Sequence, residues 1–511
     1  MSLQAQANTS GITITGQEWL IIVIIYLFLI AFHGYRFGDE DMTETLSYAL
    51  YMNDHSLYPN DLYIQAVAKT NLNERYPFTL LLRLFSFQLE WASFFLHLLS
   101  SMLLISGLWT LAKLFLRSNF TLLAAILGTL VITYHLNLGG NEVWYNYFVP
   151  SQLAKSIGIW GLVFWLVERR ILGYAMVALA TFAQPVVGAQ LALLFLLVDL
   201  KEFGLSRWKK SLPGPLLYFL TAGVWVMAVF VMNLISDHSI DGATFYSIME
   251  TRLAHHFFPS YYPLRSWVLF LPVLILGAFI WKRESKKMFD LFCWGFLGML
   301  IYYLGIELFE IPSLLSVQWF KTTVWFKPLA IIAILSVVDK MDFKWDHRIF
   351  PSLLGLLLLT GIANLTGFVR WFGDKPYDLP GTQYHTAEMN LASQMKSVLP
   401  GDACILIPPD LTGIRYFSER SLFIDYKSNI HSKEYMSEAA ERRRDLYGLT
   451  LDMRTSGVDM MAEMTNFYQH LSASDFKSFE KRGAQFVVTR KEQQLDLEKV
   501  LENSLFTLYK L

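Results

Sequence analysis

Long apolar runs are the feature that most constrains how this chain folds. A helix that crosses the hydrocarbon core of a bilayer, about 30 Å thick, needs about 20 predominantly apolar residues. Runs of about this length recur at 18–33, 91–114, 120–134, 152–167, 216–235, 264–281, 288–306, 314–338 and 350–371. With 54% hydrophobic and 17% charged residues, the chain of 511 residues has more apolar side chains than an ordinary soluble core buries. The sequence therefore predicts a polytopic α-helical membrane protein.

Two shorter apolar runs, 171–182 and 186–200, flank the dipeptide Gln184-Pro185. Proline interrupts the hydrogen bonding of a helix, and each run is short for a full crossing. We therefore expect a broken or re-entrant hairpin at this point. If both runs are counted, the chain makes about eleven crossings.

Basic connections predict the orientation, because Lys and Arg are retained on the cytoplasmic side. Five basic connections fall on one face if the chain starts inside: Lys113/Arg117, Arg169/Arg170, Lys201/Arg207/Lys209/Lys210, Lys282/Arg283/Lys286/Lys287 and Lys340/Lys344/Arg348. The N-terminus is then cytoplasmic, and the first span is an uncleaved anchor. Four segments are expected outside: 35–90, 135–150, 236–263 and everything after 371.

The last part of the chain, 372–511, has a different composition. Short apolar runs alternate there with charged, helix-like stretches, which is typical of a small α/β domain. The turn residues Gly373-Asp374-Lys375-Pro376 suit a linker. The predicted domains are a membrane domain at 1–371, including a first outer loop at 35–90 with interfacial helices, and a soluble extracytoplasmic α/β domain at 372–511.

Charge and cysteine content exclude several functions. A net charge of −1 excludes a general nucleic-acid binder, which needs a basic surface. Two cysteines, Cys293 and Cys404, exclude a disulfide framework and a thiolate zinc cluster.

An acidic cluster follows the first span directly. Asp39, Glu40, Asp41 and Glu44 place four carboxylates within six residues. Asp41 and Glu44 suit the first turn of a helix equally well, with Leu46, Ala49 and Leu50 as its apolar stripe. Asp39 precedes that helix and follows Gly38, which permits a sharp turn, so Asp39 is the candidate functional carboxylate.

A first span followed by an acidic pair in a long outer loop, about eleven crossings and a soluble C-terminal domain resemble the GT-C superfamily of integral-membrane glycosyltransferases. The resemblance implies a lipid-linked sugar donor, commonly a polyprenyl phosphate sugar, and an acidic base in the first outer loop. Asp39 is then the catalytic base of an inverting transfer. Glu40 orients the acceptor or holds a divalent ion. A bacterial inner membrane is the implied location.

The other candidate residues are assigned by charge and position. Lys155, Arg252, His255, His256 and Lys321 are candidates for binding the donor phosphate, and Asp41, His55 and Glu142 for supporting the acceptor. Arg415 and Arg420 are candidates for contacting an acceptor glycan. Snorkelling lysines and anchoring to ordinary anionic lipids are the competing interpretations of the basic residues.

No metal-binding motif is present, so a divalent cation, if one is used, is expected to be Mg²⁺ or Mn²⁺ held by carboxylates from separate loops. The expected partners are the lipid-linked donor, a glycan, lipid or protein acceptor, and membrane lipids, without nucleic acid. Two other functions stay open at this point. One is a transporter or flippase of lipid-linked glycans, and the other is a non-catalytic envelope assembly protein.

Overall fold

The computed structural model describes residues 12–38, 41–70, 73–204, 209, 212–235, 241–341, 349–365, 377–382, 386–430, 432–450 and 458–511. The chain forms two compact units, and each is built from segments that are distant in sequence. Unit 1 comprises Met1–Tyr35, Phe95–Met227 and His255–Tyr377. Unit 2 comprises Arg36–Phe94, Ala228–Ala254 and Asp378–Leu511.

Apolar helices dominate the part of the chain before residue 366. They are Gly16–His33, Leu89–Lys113, Asn119–Leu127, Pro150–Leu166, Arg170–Ala183, Pro185–Phe203, Pro213–Tyr218, Val224–Ile235, Leu264–Glu284, Lys286–Tyr303, Pro312–Leu315, Thr323–Lys340 and Ile349–Leu365. Short π-helical segments at Gly128–Ile132, Phe219–Gly223 and Leu304–Leu308 adjoin four of them. Large apolar side chains on these helices, such as Leu20, Phe279 and Leu300, are more than half exposed, as expected of surfaces that face lipid.

Five helices of the described chain are long and apolar enough to cross a membrane. They are Gly16–His33, Ser86–Lys113, Leu264–Glu284, Lys286–Leu308 and Pro312–Lys340. Their lengths and composition fit the predicted polytopic membrane protein. The count of about eleven crossings stays a prediction.

The predicted interruption at Gln184-Pro185 is present. The helix Arg170–Ala183 ends before Gln184, whose backbone is extended (φ −150°, ψ 111°), and Pro185 begins the helix Pro185–Phe203. Gly188 allows the second helix to approach the first closely, because a Cβ atom there would lie 2.4 Å from the backbone nitrogen of Thr181. The two helices therefore form a tightly packed pair.

Unit 2 contains a five-stranded sheet. Its strands are β1 (Cys404–Leu406), β2 (Ser421–Leu422), β3 (Phe486–Arg490), β4 (Glu498–Glu502) and β5 (Phe506–Lys510), in the order β2-β1-β3-β5-β4. β1 pairs in parallel with β2 and β3, whereas β5 pairs antiparallel with β3 and β4. The remaining helices are Asp41–Asn53, Leu62–Lys69, Tyr76–Arg83, Gly242–Phe257, Ala387–Val398, Ile414–Ser418, Lys433–Tyr447, Val458–Gln469 and Ala473–Ser478. The small C-terminal sheet confirms the predicted mixture of helices and strands.

The three ranges of unit 2, Arg36–Phe94, Ala228–Ala254 and Asp378–Leu511, overlap three segments predicted to lie outside the membrane, 35–90, 236–263 and everything after 371. The interfacial position of the first-loop helices stays a prediction, and the structure adds how one of them packs. Leu46 and Ala49 are fully buried within unit 2, so the helix Asp41–Asn53 uses its apolar stripe for protein packing. Hydrophobic periodicity predicts a buried face but does not distinguish protein from lipid as its partner.

Candidate functional site

Asp39 and Glu40, the predicted catalytic pair, lie outside the described residues. The residue before them is closely packed. Gly38 has a φ of +71°, and a Cβ atom there would lie 2.4 Å from the Phe417 ring. Phe37 donates its backbone N–H to the Asp378 carboxylate at 3.2 Å. Glycine is therefore required at the turn that precedes Asp39, both by its φ and by the lack of space.

The other candidates of the first loop lie near the surface of unit 2. Asp41 begins a helix and pairs with Lys427 at 2.9 Å, and its side chain is 53% exposed. His55 is exposed and packs against the Tyr51 ring at 5.0 Å. Within the described ranges, no three His, Cys, Asp or Glu side chains are close enough to hold a metal ion. The binding of a divalent cation by Glu40 therefore stays a prediction.

Arg415 lies at the centre of a buried ion network in unit 2. Its guanidinium contacts Asp61 at 2.8 Å and Asp425 at 2.5 Å, and it donates to the Ser428 hydroxyl at 2.7 Å. Asp61 also accepts from the backbone N–H of Leu422 at 2.9 Å. Arg415 is 2% exposed, and its guanidinium is bound to groups inside the protein, which gives it a structural role.

Arg252 and Arg420 are also held inside unit 2. Arg252 donates to three consecutive backbone carbonyls, those of Tyr426, Lys427 and Ser428, at 2.6 to 3.2 Å. Arg420 donates to the carbonyls of Leu399 and Lys396, at the end of the helix Ala387–Val398. Charge-assisted hydrogen bonds of this kind stabilise loops and helix ends.

The Asp425 carboxylate makes unit 2 sensitive to acid. Burial raises the pKa of Asp425, but Arg415 and the hydrogen bonds from Ser428 outweigh burial and hold this pKa below its ordinary value of about 3.9. A depressed pKa stabilises the folded state above the ordinary value, and this contribution is lost as the pH falls through the folded pKa.

We therefore expect acid to destabilise unit 2 partly through Asp425. The fall in melting temperature of the full-length protein between about pH 6 and pH 3 should be smaller for Asp425→Asn than for the unmodified chain. Burial raises the pKa of Glu44, so Glu44 changes the stability with pH in the opposite direction. Both proteins contain Glu44, so the difference between their falls in melting temperature reports Asp425. An equal fall in both proteins would contradict this assignment.

A second polar cluster lies inside apolar unit 1, around Glu142 in the connection before the helix Pro150–Leu166. The Lys327 ammonium lies 3.5 Å from the Glu142 carboxylate and donates to the Thr133 carbonyl at 2.6 Å. Lys155 donates to the backbone carbonyl of Glu142 and lies over the Tyr145 ring, 4.1 Å from its centroid. Lys155 and Lys327 are each 1% exposed. We call Lys155, Lys321, Lys327, Glu142 and Asn141 the lysine cluster.

Lys321 joins this cluster because two glycines let the connection approach it. Gly139 and Gly140 have φ values of +82° and +60°. A Cβ atom on Gly139 would lie 3.0 Å from the Lys321 backbone nitrogen, and one on Gly140 would lie 2.6 Å from His256 Nδ1 and 3.0 Å from the His255 carbonyl oxygen. Gly139 and Gly140 directly precede Asn141, whose Oδ1 accepts from Lys155 Nζ, so Lys321 lies beside the same connection. The structure therefore brings together Glu142, Lys155, Lys321, His255 and His256.

Asn141 adds an uncharged donor to the lysine cluster. Its Oδ1 accepts from Lys155 Nζ at 3.3 Å and from the Tyr145 hydroxyl at 2.9 Å, so its amide orientation is determined. Its Nδ2 is buried and has no hydrogen-bond partner among the described residues. A buried donor without a partner is costly, and an acceptor supplied by a ligand would remove that cost.

Lys327 is the cluster member that sequence analysis missed. A signal was available, since Lys327 is an isolated charge in the apolar helix Thr323–Lys340, and ionisable residues at membrane depth are expensive and usually functional. Lys155 and Lys327 both contact Glu142, and Lys321 lies beside the same connection, so the cluster has more basic than acidic side chains. It is suited chemically to hold an anion and to stabilise negative charge that develops on a leaving group.

No protein-family model matches the sequence, and no curated protein matches it. Among solved structures, the chain is similar to the crystal structure of ArnT from Cupriavidus metallidurans bound to undecaprenyl phosphate. The TM-score is 0.46 at 13% identity, with 98% of each chain covered. It is also similar to the apo state of ArnT from the same organism, with a TM-score of 0.40 at 11% identity over 97% of this chain and 98% of that one. Both likenesses extend over nearly the full length of the chain.

Proposed function

We propose that this protein is a membrane glycosyltransferase that moves a sugar from a polyprenyl-phosphate-linked donor to an extracytoplasmic acceptor. The observation that carries the proposal is the lysine cluster, in which two fully buried lysines contact Glu142 inside an apolar helical unit, Lys327 at the carboxylate and Lys155 at the backbone carbonyl. Its excess positive charge and the free Asn141 Nδ2 complement the phosphate of a lipid carrier.

Burial distinguishes these lysines from ordinary interfacial ones. A lysine that snorkels keeps its ammonium in water, whereas Lys155 and Lys327 are each 1% exposed. Burying two like charges beside a single carboxylate is unfavourable unless a further anion is present during function. A lipid-linked phosphate meets this requirement, and its polyprenyl chain suits the surrounding apolar helices.

The phosphate site that we propose includes Lys155, Lys321 and Lys327, with His255 and His256 beside it. Arg252 is left out because three backbone carbonyls in unit 2 occupy it. Arg415 and Arg420 are left out as acceptor contacts because both are buried in structural hydrogen bonds.

The proposed chemistry is a single displacement. Asp39 takes the proton of the acceptor hydroxyl, the hydroxyl oxygen attacks the anomeric carbon, and the bond from that carbon to the phosphate oxygen breaks on the opposite face. The anomeric configuration is inverted, and the lysines neutralise the departing phosphate. Glu40 orients the acceptor or holds Mg²⁺ or Mn²⁺, with Asp41, His55 and Glu142 in supporting roles.

We also propose a bacterial inner membrane as the location, with the N-terminus cytoplasmic and unit 2 extracytoplasmic. Unit 2 supports one part of this topology, the placing of its segments on the same side of the membrane. Its three segments, Arg36–Phe94, Ala228–Ala254 and Asp378–Leu511, fold into one compact body, which a bilayer cannot divide. They therefore belong on one side, as the basic connections predict.

The substitution Lys155→Met tests the phosphate site. It removes an ammonium while keeping most of the side-chain volume, and we expect undecaprenyl phosphate to bind about 10- to 100-fold more weakly, as for the loss of a charge-assisted hydrogen bond. Binding is measured by titrating the lipid into detergent-solubilised protein and following tryptophan fluorescence.

Lys201→Met is the matched control, because Lys201 is 46% exposed and pairs with Asp290 outside the lysine cluster. This control should bind the lipid as the unmodified protein does. Unchanged lipid affinity in Lys155→Met, with the protein folded, would remove the lysine cluster as the phosphate site.

A further inference from the structure

Two buried glutamines of unit 1 present acceptor oxygens that receive no hydrogen bond from the described residues. Gln190 donates its Nε2 hydrogens to the backbone carbonyls of Val317 and Gln318, at 2.7 and 2.9 Å. Exchanging its amide atoms would place Oε1 against two carbonyl oxygens, so the amide orientation is determined. Gln190 Oε1 is thereby left buried without a donor in the described part of the chain, and so is Gln318 Oε1.

The backbone of Gln318 is also unusual. Gln318 has φ 46° and ψ 45°, a left-handed conformation that a residue with a Cβ atom rarely adopts, and it is 5% exposed. Gln190 is 4% exposed. Backbone strain and unsatisfied polar atoms both cost stability, and in native proteins they concentrate at functional sites. The two features coincide here at one residue.

These glutamines are linked to the lysine cluster through one turn of backbone. The N–H of Lys321 donates to the Gln318 carbonyl at 2.9 Å, so Lys321 belongs to the same short helical turn as Gln318. The cluster offers basic side chains, whereas the two glutamines offer buried acceptor oxygens. A ligand that complements both has an anionic group and, beside it, several hydroxyl groups.

We infer that Gln190 and Gln318 form the sugar-binding part of the donor site and accept hydrogen bonds from hydroxyl groups of the sugar carried on the lipid phosphate. This inference rests on the proposed function. It assigns the lysines to the phosphate, which every donor shares, and the glutamines to the sugar, which differs between donors. Selectivity for the sugar therefore depends on Gln190 and Gln318 and not on the lysines.

The experiment compares two kinds of lipid on the full-length protein. One is undecaprenyl phosphate, and the other is a panel of undecaprenyl phosphates that carry glucose, galactose or N-acetylglucosamine. The unmodified protein should bind at least one sugar-bearing lipid more tightly than the bare lipid. Gln318→Met keeps the side-chain length but removes the acceptor, and it should reduce that preference about fivefold while binding of the bare lipid is unchanged.

Gln190→Met provides a second variant with the same expectation, and the exposed Gln17→Met is the matched control. Binding of the bare lipid also reports that each variant is folded. An unchanged sugar preference in both variants would overturn the inference and indicate that ordered water satisfies the two oxygens. The absence of any sugar preference in the unmodified protein would overturn it as well. Failure of the unmodified protein to bind bare undecaprenyl phosphate would instead overturn the proposed function.

Discussion

Asp39→Asn is expected to lower sugar transfer by about 10²- to 10⁴-fold, the range in which general bases contribute. Asparagine has nearly the same shape but cannot take the proton of an acceptor hydroxyl. Binding of undecaprenyl phosphate should stay unchanged, because the proposed phosphate ligands are Lys155, Lys321 and Lys327. The variant therefore separates chemistry from donor binding.

Transfer is measured in proteoliposomes with a radiolabelled lipid-linked sugar, by following label that leaves the lipid fraction. Asp54→Asn is the matched control, since Asp54 belongs to the same loop, is exposed and accepts hydrogen bonds from its near neighbour Ser56. Full transfer by Asp39→Asn would exclude Asp39 as the base. Movement of the labelled lipid across the bilayer without chemical change in the unmodified protein would favour a flippase, and neither transfer nor movement would favour an assembly protein.

Arg415→Met is expected to destabilise unit 2 by about 3–5 kcal/mol, the cost of removing one partner from a buried ion pair. The substitution leaves Asp61 and Asp425 facing each other without their shared cation, at 0% and 5% side-chain exposure. Both carboxylates keep hydrogen bonds from other groups, but these do not balance two buried negative charges. Loss of folded unit 2 is thus expected before any loss of apolar helices.

Hydrogen exchange of the detergent-solubilised protein measures this effect by the protection of β1, β2 and β3. Arg444→Met serves as the control, because Arg444 is 58% exposed and pairs only at the surface, so its removal should change stability by less than about 0.5 kcal/mol. Adding Asp61→Asn and Asp425→Asn to Arg415→Met should recover part of the lost protection. Equal protection in Arg415→Met and Arg444→Met would show that the buried network does not stabilise unit 2.

Features that depend on a residue and its near neighbours in sequence could be predicted for the candidate residues. Gly38 was predicted to form a turn, and its positive φ agrees, because the conformational freedom of glycine is a property of the residue itself. Lys155 was selected for its charge inside an apolar run, and the structure places it in the lysine cluster. Lys327 carried the same signal and was passed over.

The contacts of the basic residues in unit 2 could not be predicted, because their partners are distant in sequence. Arg252 lies 174 residues from the Tyr426 carbonyl that it contacts, and Arg415 lies 354 residues from Asp61. The sequence shows that these residues are positively charged, but it does not show which groups neutralise their charge. An arginine bound to internal carbonyls and an arginine that awaits a ligand are identical in sequence.

The sequence by itself determined that the chain is rich in membrane-length helices, that these are interrupted at Gln184, and that strands form in the C-terminal part of the chain. Hydropathy and proline act over a few residues and need no tertiary contact. Only the tertiary structure decided that Glu142 meets Lys327, 185 residues away, and that Arg415 is enclosed within unit 2. Such pairings arise from the packing of distant helices and strands, which no local pattern of residues specifies.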